Sequence, residues 1–60
     1  MEIEKIYCID TTGKYPIAAV QYEGCSPSWE QYHNNKQIQE YLNTHNDYEV
    51  NTNKKIGEYL

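Results

Sequence analysis

Sixty residues with nine acidic and five basic side chains, a formal net charge of -4, make one domain at most, and a chain this short buries only about 60% of its unfolded surface. All five basic residues are lysines, so the bidentate fork that reads base edges is missing and sequence-specific nucleic-acid binding is not expected. No apolar run approaches the roughly 18 residues that span a bilayer, which argues against a membrane role.

In chain order, residues 3–11 are rich in β-branched and aromatic side chains. Strict alternation places Ile3, Tyr7 and Ile9 on one face and Ile6 with Cys8 on the other, so both faces are partly apolar and the strand is expected to be central. Residues 10–14 contain turn formers, with Gly13 available for a positive φ, and residues 15–22 return as a second strand. Pro16 stands at its start, where no ladder donor is needed. The first third therefore reads as a β-hairpin.

Ser26 followed by Pro27 is the pattern of an N-cap with proline in the first helical position, which predicts one central helix over about 27–45. Along that helix Trp29 and Tyr32 fall opposite Ile38, Tyr41 and Leu42. Either one straight helix has two apolar faces, the favoured reading, or the chain resets at Asn34-Asn35, where Asn34 and Gln37 make a capping box. Asn46, tolerant of the left-handed conformation, is expected to end the helix. Tyr48 and Val50 alternate with polar neighbours, giving a third strand near 48–52. Ile56, Tyr59 and Leu60 suit a short C-terminal helix or an edge strand. The expected architecture is α+β, a single domain over residues 1–60.

The aliphatic core is thin. Ile, Leu and Val total ten of sixty residues and there is no Phe, so seven tyrosines and Trp29 must supply apolar area. A domain this small ordinarily needs a disulfide, a metal or association with another chain. The first five residues show neither a basic nor an apolar signal region, so a cytoplasmic location is expected, with Cys8 and Cys25 reduced. His33, His45 and the cysteines lack the close paired spacing of a zinc site, so no metal or other cofactor is expected. Association, as a homo-oligomer or on a partner, is the remaining staple.

Catalysis is not expected. Cys25 near an expected helix start with His33 eight residues on has the types of a nucleophile and base, yet ten aliphatics can hardly build the water-excluding cleft such a pair needs. Asp10 with Glu23 reads as solvated charge, and residues 11–14 lack the first glycine of a phosphate loop. More tyrosines are present than a small core can satisfy through their hydroxyls, and ten side-chain amides accompany them, which points to a binding surface.

In size, acidity, AT-rich composition and want of catalytic residues, the chain resembles in class the small phage-encoded proteins that inhibit bacterial enzymes or defence systems. That resemblance implies a protein partner in a bacterial cell. On this reading Trp29, Tyr32 and Tyr41, with Glu30 and Glu40, form the partner-binding set. A second reading is a homo-oligomer that sequesters a small nucleotide-like ligand, stacking it on Tyr15 and Tyr22 and holding phosphates with Lys14, Lys36 and Lys54. A third is a structural subunit of a larger assembly, marked by a large apolar patch.

Overall fold

A computed structural model of the chain describes residues 1–52 and 54–59. Asn53, counted among the amides, and Leu60, counted in the C-terminal pattern, lie outside the described residues. The elements are β1 (Ile3–Asp10), β2 (Ile17–Tyr22), β3 (Ser28–Gln31), α1 (Lys36–Thr44), β4 (Glu49–Val50) and a single 3₁₀ turn (Ile56–Tyr59). They form a mixed sheet in the order β3-β2-β1-β4, antiparallel except for the parallel pair β1 and β4. The α+β class, the N-terminal hairpin, one helix, a further strand near 48–52 and a short C-terminal helical turn all agree with the sequence reading. Among the described residues no helix is long and apolar enough to cross a membrane.

The main correction is the span 27–45. Ser28–Gln31 is a strand, and the helix runs only from Lys36 to Thr44. Without β3, the outer edge of β2 would present its backbone groups to solvent, and pairing with residues 28–31 satisfies them. A helix begun at Pro27 would instead aim Trp29 and Tyr32 away from Ile38. The favoured straight helix therefore gives way to a reset at the asparagines, one residue later than the capping box placed it. Asn35 is the N-cap, its side chain accepting from the Ile38 N–H at 3.2 Å. Gln39 fixes the entry to the helix by donating to the carbonyls of Tyr32 and His33 at 2.8 and 2.9 Å. At the other end the C-cap is His45 in extended backbone, and Asn46 is not a left-handed cap.

Left-handed backbone occurs elsewhere. Gly24 (φ 76°) turns the chain out of β2, with the Cys25 N–H donating to the Tyr22 carbonyl at 3.0 Å, so the glycine freedom lies here and not at Gly13. Asn51 (φ 53°) closes β4, its side-chain oxygen accepting from the Thr11 N–H at 2.7 Å and its own N–H donating to the Ile9 carbonyl at 2.8 Å. At the hairpin turn the Thr12 hydroxyl and backbone N–H both donate to Asp10, holding its carboxyl below the usual carboxylate range.

The faces of β1 also differ from simple alternation. Register shifts between Ile3 and Lys5 and between Ile6 and Cys8 put Ile6 opposite Val20 and Cys8 opposite Ala19, on opposite sides of the sheet. One side packs on α1, where Ile6, Ala18, Val20 and Ile38 are fully buried. Ile3, Ile9, Leu42 and the tyrosines 22, 32, 41 and 48 ring them. On the other side Cys8 and Ala19 are buried, and Tyr59 of the 3₁₀ turn meets Tyr7 with ring centroids 5.4 Å apart.

The tyrosines are chiefly rim. Tyr22, Tyr41 and Tyr48 pack against the core and send their hydroxyls outward to Glu30, Asp47 and the Leu42 carbonyl, and Tyr7 donates to Gln21. Placing the hydroxyl at the boundary lets each ring substitute for the missing Phe without burying an unpaired donor. Among the seven tyrosines, Tyr15 is the exposed one.

Candidate interaction edge

Of the expected partner-binding residues, Trp29 alone is a large apolar side chain left open, 40% exposed. It lies on β3, an outer strand of the sheet. Trp29 pairs with Ala19 and Gln31 with Ile17, so both side chains stand on the face away from α1, while Glu30 pairs with Ala18 on the helix side. There Glu30 is half-buried and accepts from the Tyr22 hydroxyl at 3.3 Å. Its carboxylate, together with burial as the larger cause, raises the Tyr22 hydroxyl above the usual tyrosine range. Burial likewise raises Tyr32, whose ring packs against the core.

The backbone of β3 is polarised in the same way. The Tyr32 N–H donates to the Pro16 carbonyl at 3.3 Å. Backbone groups of an antiparallel strand alternate between its two sides, so Ser28, Glu30 and Tyr32 bond inward to β2. The N–H and C=O of Trp29 and Gln31 therefore point out from the sheet. Continued past the strand, the same register sets Tyr15 opposite His33, and their rings stack with centroids 5.0 Å apart. The Lys14 ammonium lies 5.5 Å from the Tyr15 ring centroid. Trp29, Gln31 and His33 are thus alternate positions along one edge, ending in an exposed aromatic and cationic patch.

The remaining expected residues do not join this edge. Glu40 and Tyr41 are on α1. Glu40 is exposed, and Tyr41 is packed on the core and stacked on His45 at 3.9 Å. For the ligand set, Lys14 and Tyr15 come together, whereas Tyr22 is at the far end of β2, Lys36 opens the helix and Lys54 pairs with Glu49 of β4 at 3.3 Å, on the opposite edge of the sheet. Sequence reasoning weighs His33 as a base and a zinc ligand and counts Gln31 among the ten amides, but sets neither in line with Trp29. Their signal is a two-residue period from Trp29, obscured by the apparent Ser26-Pro27 helix start.

Chemically the edge offers backbone donors and acceptors, a tryptophan, amides and a stacked Tyr15–His33 pair, which is the equipment of strand addition and aromatic contact. No protein-family model, curated protein or solved structure matches the chain.

Proposed function

We propose that the chain is a non-enzymatic binding protein, an inhibitor or adaptor that engages a protein partner through the β3 edge and the sheet face beside it. The observation that carries this reading is Trp29, 40% exposed on a strand whose outward backbone groups face away from the sheet. Large aromatic side chains left open at a sheet edge are characteristic anchors of protein interfaces. The acidic balance of -4 favours a basic partner surface, such as the nucleic-acid-binding face of a bacterial enzyme or defence complex.

The test is native mass spectrometry of tagged protein recovered from a low-GC bacterial host. A stoichiometric partner protein is expected on the wild type and absent from Trp29→Ala, with the circular-dichroism melting curve of the variant little changed. Partner retained by Trp29→Ala refutes the role given to the edge. A small-molecule mass in place of a protein would support the sequestering reading, for which the grouped Tyr15, His33 and Lys14 are the relevant feature.

A further inference from the structure

The outward backbone of β3 has a self-complementary register, and we propose that two copies of the chain pair through β3, antiparallel about a two-fold axis centred on Trp29. Only Trp29 and Gln31 of the strand point their N–H and C=O outward, so the possible two-fold registers are few. Centred on Ser28, the second copy's Pro27 faces Trp29 and, having no N–H, leaves a single bond in each symmetric half. Centred on Gln31, the pairing runs past the end of the strand into the turn in which the Asn35 N–H donates to the Tyr32 carbonyl.

Two registers remain. Centred on Glu30, Trp29 pairs with the second copy's Gln31, but the two Glu30 carboxylates stand directly opposite each other, where like charges repel. Centred on Trp29, the two Trp29 residues exchange N–H and C=O, and each Gln31 N–H donates to the second copy's Pro27 carbonyl. Proline's carbonyl accepts there, while the Gln31 carbonyl that its missing donor would have met stays open to solvent, so four bonds form about the axis against two in the Ser28-centred register. Each Glu30 faces the second copy's Ser28, and the two indoles lie side by side on the face away from α1.

The result is an eight-stranded sheet whose two central strands bring the Trp29 side chains together at the axis on one face, with each Gln31 two residues away along the strand. It also supplies the second contact surface that a core of six buried apolar residues, among those described, calls for. The pairing takes up the backbone edge of β3 and leaves the indoles on the open face, so a partner of the dimer docks on that face beside Trp29 and does not add a strand.

Three measurements test it. Sedimentation equilibrium of the purified wild type is expected to give twice the 7.1 kDa protomer mass. A chain still monomeric at about 1 mM, beyond the range of specific affinities, overturns the proposal. Gln31→Pro removes one outward donor from each copy at an edge position that tolerates proline, and is expected to weaken the dimer about tenfold or more while the circular-dichroism spectrum is kept. An unchanged dimer would place the interface elsewhere. Glu30→Gln distinguishes the registers: under the Trp29-centred one it leaves the dimer within about threefold, whereas a tightening of about tenfold or more would show that the Glu30 carboxylates face each other and overturn the assignment. Trp29→Ala also removes the indole beside the axis, so loss of a captured protein is assigned to the partner only where sedimentation shows that the variant still dimerises.

Discussion

Ile38 is the one helix residue that is fully buried, closed in by Ile6, Ala18 and Val20, so Ile38→Ala removes the side chain that fastens α1 to the sheet. Three carbons leave a site with 0% exposure, a transfer loss of about 2.4 kcal/mol at roughly 0.8 kcal/mol per buried carbon. A cavity term raises this toward about 3 to 4 kcal/mol, because Ala18 and Val20 sit on a hydrogen-bonded strand that cannot collapse into the space. A domain of sixty residues has a total stability of about 3 to 9 kcal/mol. The substitution is therefore expected to consume a third or more of it, and to leave the variant partly unfolded if the wild type lies at the low end. Urea unfolding followed by circular dichroism measures the difference, with Val50→Ala, at an open position 56% exposed, as a control expected to stay within about 0.5 kcal/mol. A loss below about 1 kcal/mol for Ile38→Ala would refute the reasoning, since it would mean that α1 is held by its rim tyrosines and not by the buried isoleucine.

The cap and the thiols give simpler tests. Asn35→Ala should cost about 0.5 to 2 kcal/mol in the same urea assay, since the Ile38 N–H loses its acceptor, while Asn34→Ala should cost less. In the folded protein a thiol reagent should label Cys25 at once and Cys8 only on unfolding, because Cys25 is exposed and Cys8 is 1% exposed; equal rates would contradict the buried second face. Tyr22 and Tyr32 keep their protons in the folded chain at a pH where the unfolded chain ionises. Their contribution is whole below about pH 10 and is lost as pH rises through the folded values, so unfolding should need less urea at about pH 11 than at about pH 9. Absorbance of tyrosinate should show the Tyr22 and Tyr32 hydroxyls ionising later in the folded than in the unfolded chain, and the same transition in both states would contradict their burial.

The local elements with strong internal signals were legible in the sequence. β1 and β2 follow from β-branched runs around a turn, and the segment Ile38, Tyr41 and Leu42 follows from its 3.6-residue period. Composition alone set the size of the core and the need for aromatic filling, and the tyrosines at the core rim answer that need. What sequence periodicity could not convey was which tyrosines fill and which bind. A ring with its hydroxyl at the boundary meets both requirements of a polar aromatic, and only the neighbours Glu30, Asp47 and the Leu42 carbonyl decide where that boundary lies.

Tertiary structure decided β3. Residues 28–31 have no pattern long enough to declare a strand, and the Ser-Pro pair before them carries the local signature of a helix start. The sheet overrides it, because an unpaired β2 edge gains a ladder of backbone hydrogen bonds from any short extended segment that can reach it, whereas a single helical turn gains little. Register shifts in β1 are of the same kind, set by pairing with β2 and invisible in strict alternation. The exposed Trp29 was identified from its residue type. That it stands on an open edge in line with Gln31 and His33, with Glu30 turned to the helix side, follows from the strand pairing, a non-local contact that no window of the sequence contains.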